Sequence, residues 1–253
     1  MFNPKTKRIE EIAKLFPEII KELEIIFDGN TNVYIDWANV IHWQERLGFH
    51  IHLGRLKQFI DSFPSIKVTR LYAGTLQGNE KSEKSIKEYE KFGYAVKTKS
   101  VKIMKMSINT SSIPANSPSL LENFIKKCLL SKLNIETIEF LNKKLADFNK
   151  QGFTYIEDRK CNFDVEIGRD MLRDFDKDDL NTFILWSGDS DFADPISQLI
   201  KDGKKIFLFA TAREVSYELN EIGIPVFDIK KIKEFICWPK EIPQGIKDKI
   251  NKE

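Results

Sequence analysis

The chain has 253 residues, and its 40 Lys and Arg against 38 Asp and Glu leave a formal net charge of +2, which excludes a strongly basic nucleic-acid coat and an acidic disordered tail. A 42% hydrophobic content with 19 Phe describes a folded chain with a sizeable core. Cys128, Cys161 and Cys237 are scattered and form no C-x-x-C pair, and no apolar run of membrane-spanning length occurs, so neither a disulfide framework, a structural zinc site nor a membrane is expected and a reducing, cytoplasmic setting fits.

Residues 1–30 read as an N-terminal helix, because Ile9, Ile12, Leu15, Phe16, Ile19, Leu23 and Ile26 recur at helical spacing until Asp28-Gly29-Asn30 ends the run. Asn32-Val33-Tyr34-Ile35 is a buried strand by composition and ends in Asp36. The order then runs helix (51–62), strand (66–72), helix (82–92, closing on Gly93) and strand (94–103). A polar loop with two prolines at 107–118 and two helical stretches after it mark 107–155 as a helical insertion. The alternation resumes with a helix at 163–175, a strand at 182–186, a helix at 191–201, a strand at 205–210, a helix at 212–221 and a last strand at 225–227. The charged tail, 237–253, carries Pro239 and Pro243 and reads as a loose end. Strands alternating with helices at crossover spacing predict an α/β fold: a doubly wound, mostly parallel open sheet with helices on both faces over 31–236, interrupted by the insertion.

In such a sheet the site lies at the carboxyl ends of the strands. There the first strand ends in Asp36-Trp37-Ala38-Asn39 and the central strand in Ser187-Gly188-Asp189-Ser190-Asp191-Phe192, while Asp164 opens the helix preceding the central strand. Singly, each acid has a plain reading: Asp36 or Asp191 as a helix N-cap, Asp164 as a carboxylate favoured by a helix dipole. Asp170, Asp174, Asp176, Asp178 and Asp179 read as a solvated face and loop. Together, acids converging on one rim repel by roughly 4 kcal/mol per pair at about 4 Å and an effective dielectric near 20, a repulsion that a divalent cation offsets. Mg²⁺ or Mn²⁺ suits such oxygen donors and can orient a water for attack on a phosphodiester.

Asp36-x-x-Asn39 after an apolar strand, Lys160-x-x-x-Asp164-Val165 with Asp170 six residues on, and Ser187-Gly188-Asp189-Ser190-Asp191-Phe192 resemble the three signatures of the NYN domain, a family within the PIN-like nucleases. The resemblance covers roughly 32–103 and 156–236. It implies a metal-dependent ribonuclease with Asp36, Asp164, Asp189 and Asp191 as metal-holding and catalytic acids, Asn39 as the polar partner of the first acid, and Mg²⁺ or Mn²⁺ as cofactor. Ser187, Lys160 and Arg213 are the expected substrate-side groups, and RNA, or single-stranded DNA, is the expected partner.

The lysines of Lys97-Thr98-Lys99-Ser100-Val101-Lys102-Ile103-Met104-Lys105 read either as phosphate contacts or as the charges that blunt an edge strand. His42, His50 and His52 read as ordinary residues of one loop, with Trp43 and Phe49 as loop anchors or base-stacking rings. The insertion is the expected surface for a homodimer contact or a regulatory protein. A non-catalytic RNA- or protein-binding module on the same fold stays open as an alternative, as does a phosphatase or nucleotidase, although Ala38 stands where an Asp-x-Asp phosphatase motif needs its second acid. No G-x-G-x-x-G follows the first strand, which argues against a dinucleotide site.

Overall fold

Runs of apolar residues short enough for buried strands, separated by stretches of helical periodicity, set the architecture. The computed structural model of the chain describes residues 1–177, 179–211 and 213–250, apart from the side chains of Asp176 and Lys177. In chain order the helices and strands are α1 (Lys7–Leu15), α2 (Pro17–Ile26), β1 (Thr31–Asp36), α3 (Trp37–Leu47), α4 (Leu53–Ile60), β2 (Ile66–Thr75), α5 (Glu80–Lys91), β3 (Ala95–Ser100), β4 (Lys102–Ser107), α6 (Lys127–Leu130), α7 (Ile135–Lys150), β5 (Tyr155–Lys160), α8 (Asp164–Lys177), β6 (Thr182–Trp186), α9 (Ala193–Lys201), β7 (Lys205–Ala210), α10 (Tyr217–Glu221), β8 (Val226–Asp228), α11 (Lys233–Ile236) and α12 (Gln244–Ile250). They form two compact units: Met1–Ser100 with Cys161–Glu253, and Val101–Lys160.

The first unit is built on a six-stranded sheet in the order β3-β2-β1-β6-β7-β8, and every pair in it is parallel. The expected doubly wound α/β sheet is present. Alternation along the strands divides the core. Val33, Ile35, Leu71, Ile184 and Trp186 point to one face with side chains of α1 to α4 and α11, whereas Tyr34, Tyr72, Phe183, Leu185 and Leu208 point to the other with Ile167 and Met171 of α8 and Ile196 and Leu199 of α9. Strand order reverses between β1 and β6, which lie side by side with Ile35 opposite Trp186. Asp36 and the residues after Trp186 therefore leave the sheet at its switch point.

Several local expectations are corrected. The single N-terminal helix is two, because Pro17 cannot donate its backbone nitrogen to a helix running through it and instead opens α2. The loop expected after Asp36 is helix α3, which carries His42. Trp43 and Phe49 are buried in the core, so they anchor the body and are not free to stack on a base. The tail read as a loose end packs on the body through α12: Ile242 is buried, and Ile246 and Ile250 pack against the core, while residues 251–253 lie outside the described residues.

The second unit contains an antiparallel pair, β4 with β5, in which Lys102 lies opposite Lys160 and Ser107 opposite Tyr155. The strand expected over 94–103 is thus two strands: Ser100 still pairs with Thr75 of β2, and from Lys102 the partner is β5. A small core of Leu121, Leu130 and Ile138 holds α6 and α7. Among the described residues, no helix is long and apolar enough to cross a membrane.

Candidate active site

Three carboxylates meet at the switch point. Asp164, Asp189 and Asp191 each bring an oxygen within 4.8 Å of the others. Asp164 is the first residue of α8, and its backbone N–H donates to Asn162 Oδ1 at 2.8 Å, an Asx turn that starts the helix. Asp189 stands beyond β6; its N–H donates to Ser187 Oγ at 3.3 Å, and its own Oδ1 accepts from the Asp191 N–H at 3.4 Å. These short-range bonds explain the S-G-D-S-D string: a buried serine fixes the first aspartate, and that aspartate fixes the second.

Gly188 has a separate reason to be glycine. A Cβ there would lie 1.8 Å from the carbonyl oxygen of Glu214, so the turn between β7 and α10 approaches the strand end at backbone distance. The Ser216 N–H donates to the Gly188 carbonyl at 2.9 Å and holds that approach.

Asp36 is 4% exposed and caps α3, accepting from the Asn39 N–H at 3.3 Å. The cap reading of Asp36 therefore holds, and Asn39 supports it through its backbone. The same carboxyl also feels the cluster. Burial pushes its pKa up to about 7, and the charges of Asp164 and Asp189 push in the same direction against the backbone hydrogen bonds. Asp164 rises to about 6, first through burial and then through its hydrogen bond with Asp191 and the charges of Asp189 and Asp191, while Asn162 opposes the shift. A cleft of about 570 Å³ opens beside Asp164 and Asp191, lined also by Lys99, Asn162, Glu166 and Pro195.

The remaining expected residues separate. Ser187 is fully buried, so it positions Asp189 and is withdrawn from any substrate surface. Arg213 is exposed on the turn that packs on Gly188. Lys160 ends β5 in the second unit and pairs with Asp158 at 3.4 Å. His50 pairs with Glu241 at 2.7 Å, and His52 caps α4, its Nδ1 accepting from the Arg55 N–H at 3.3 Å.

The acids of α8 differ most from the sequence expectation. Asp170 and Asp174 are buried. Asp174 accepts from Asn32 Nδ2 at 3.0 Å, from the Tyr34 hydroxyl at 2.6 Å and from the Arg70 guanidinium at 2.6 Å. Asp170 accepts from the Tyr72 hydroxyl at 2.9 Å and pairs with Lys97 at 2.9 Å, and Glu166 pairs with Lys99 at 3.0 Å. Burial alone would raise the Asp170 pKa, but Lys97 and Tyr72 hold it below the usual carboxylate value. Of the other acids read as a solvated face, Asp179 is exposed, whereas the side chain of Asp176 and all of Asp178 lie outside the described residues. Glu166, Asp170 and Asp174 recur every four residues, so one helix face docks on polar side chains of β1, β2 and β3. Lys97 and Lys99 do sit on an edge strand, yet carboxylates of α8 occupy them.

Residues 116–222 match the NYN domain. The NYN match takes in Asp164, Asp189 and Asp191, starts within the second unit and ends one residue beyond α10; Asp36 and Asn39 lie before it. It agrees with the family that the sequence motifs resemble. NYN domains are generally nucleases of PIN-like fold that act on RNA and usually use divalent metals. Among solved structures, the chain is similar to a crystal structure of a protein of unknown function from Vibrio parahaemolyticus, with 16% identity, 81% of this chain and 94% of that chain covered, and a TM-score of 0.48. No curated protein matches the chain.

Proposed function

We propose that the chain is a metal-dependent endoribonuclease whose site is formed by Asp164, Asp189 and Asp191. The observation that carries this reading is the meeting of those three carboxylates within 4.8 Å, inside an NYN match and beside an open cleft. All-oxygen donors suit a hard divalent cation, Mg²⁺ or Mn²⁺. The repulsion that helps lift the pKa of Asp164 is what such a charge would relieve. When bound, the ion supplies Lewis-acid stabilisation of phosphate charge and a more acidic water. Within the chain, Ser187 and Gly188 hold Asp189 in register, Asn162 fixes the start of α8, and Asp36 adds a buried carboxyl that changes protonation near neutral pH. Arg213 is the candidate phosphate contact on the neighbouring turn.

A cleavage assay tests this reading. Labelled RNA and single-stranded DNA are incubated with the protein in Mn²⁺, in Mg²⁺ and in EDTA, beside Asp189→Asn. Cutting of RNA that requires the metal and is lost in the variant is expected. An Asp189→Asn protein that folds and cuts at the wild-type rate would refute the site. A wild-type protein that neither cuts nor takes up Mn²⁺ in calorimetry would refute the function and leave a binding module on the same fold.

A further inference from the structure

The second unit carries an unusual surface. Among the described residues, seven aromatic side chains are exposed, and five of them, Phe124, Phe140, Phe148, Phe153 and Tyr155, fall within Val101–Lys160. That stretch also holds ten Lys and Arg against six Asp and Glu, a net charge of +4 where the whole chain has +2.

The rings and the cations are interleaved. On α7, Phe140, Lys144 and Phe148 recur every four residues and so lie along one helix face. Phe140 is 58% and Phe148 49% exposed. Lys144 Nζ lies 5.4 Å from the centre of the Phe140 ring, and neither Lys143 nor Lys144 has a carboxylate partner among the described residues. On the ribbon, Lys105 Nζ lies 4.4 Å from the centre of the Tyr155 ring. Asn149, near the end of α7, ties helix to ribbon: its Nδ2 donates to the carbonyls of Ile108 at 2.9 Å and Phe153 at 2.8 Å, and its Oδ1 accepts from the Thr110 N–H at 2.8 Å.

The ribbon has two strands, and exposed residues alternate to both of its faces, a condition in which a strand pair contributes little stability by itself. Exposed rings beside unpaired lysines answer to a partner that presents flat π faces joined by anions. A protein interface would more commonly deplete lysine. We propose that the Val101–Lys160 unit is a platform for single-stranded RNA, with bases stacking on Phe140, Phe148 and Tyr155 and with Lys105, Lys143 and Lys144 meeting the phosphates. The inference deepens the nuclease reading, since it names a holding surface separate from the cutting residues.

Binding is measured apart from cleavage. The full-length protein is titrated with labelled oligoadenylate in EDTA, monitored by anisotropy, at several salt concentrations. Stacking on one ring is worth enough that Phe140→Leu and Phe148→Leu should each weaken binding about tenfold, whereas Phe140→Trp should retain it. Leu keeps an apolar side chain and removes the π face, so equal affinity in the Leu variants would overturn the platform. Lys143→Glu with Lys144→Glu should weaken binding and flatten its salt dependence, and Lys84→Glu with Lys87→Glu on α5 serves as the charge control. Unchanged RNA affinity accompanied by a shift in sedimentation from dimer to monomer would assign the face to a contact between copies and overturn the proposal. The nuclease reading fails separately: a wild-type protein that binds the oligonucleotide in EDTA but never cuts RNA with metal added loses the activity and keeps the platform.

Discussion

Replacing Asp36 by Asn tests the electrostatic account of the site through stability alone. Asn retains the oxygen that accepts the Asn39 N–H, so the cap on α3 survives while the charge is removed. In the folded chain the Asp36 pKa is raised from 3.8 to about 7. A raised carboxyl favours folding while it is protonated: its contribution is fully present below pH 3.8 and is lost as pH rises through about 7. The full loss is about 4 kcal/mol at 1.36 kcal/mol per pK unit, an upper figure, with about 1.6 kcal/mol already lost at about pH 5. Asp36→Asn should therefore match the wild type near pH 4 and exceed it by up to about 4 kcal/mol at about pH 7.5. Urea unfolding followed by tryptophan fluorescence, with Trp43 and Trp186 both buried in the folded chain, in EDTA and at matched pH, reads the difference. A gap that does not change between pH 5 and 7.5, or a variant less stable than the wild type at about pH 7.5, would refute the reasoning.

Two further substitutions address the supports of the cluster. Gly188→Ala should cost about 1–3 kcal/mol or more, because the atom it must displace is the Glu214 backbone carbonyl, and it should lower Mn²⁺ affinity measured by calorimetry; a variant as stable as the wild type would show that the turn yields freely. Asp174→Ala should cost about 3–5 kcal/mol, since it leaves buried Tyr34 and Asn32 and half-buried Arg70 without their shared acceptor, and a loss below about 1 kcal/mol in denaturant unfolding would show that water replaces the carboxylate.

Strands with strong apolar composition were legible without a structure. The boundaries of β6 and β7 follow from T-F-I-L-W and K-I-F-L-F-A alone, and the place of β6 beside β1 is a common one for such strands in a doubly wound sheet. The acids after β6 were legible too, because S-G-D-S-D-F is a distinctive local string. Polar residues with tertiary partners were not. Asp170 and Asp174 look like any charged helix face until Lys97, Arg70 and two tyrosines, distant in sequence, stand opposite them. The burial of Ser187 and the return of the chain at Glu214 are likewise long-range facts. Asn162 carries a readable trace, since an Asn two residues before a helix start is a common Asx turn.

The position of β1 has a consequence for how the protein comes to be made. β1 pairs on one side with β2, which follows within about forty residues, and on the other with β6, which starts at Thr182. While the chain emerges from a ribosome, β2 and β3 can join β1 early, but the other edge of Asn32-Val33-Tyr34-Ile35 has no partner until the whole of Val101–Lys160 and then α8 have been synthesised. A nascent chain that ends between those points exposes an apolar strand edge, the feature that templates association with other chains. Truncations ending after β3 should therefore aggregate, and ribosome-bound chains should become protease-resistant only once β6 has cleared the exit tunnel.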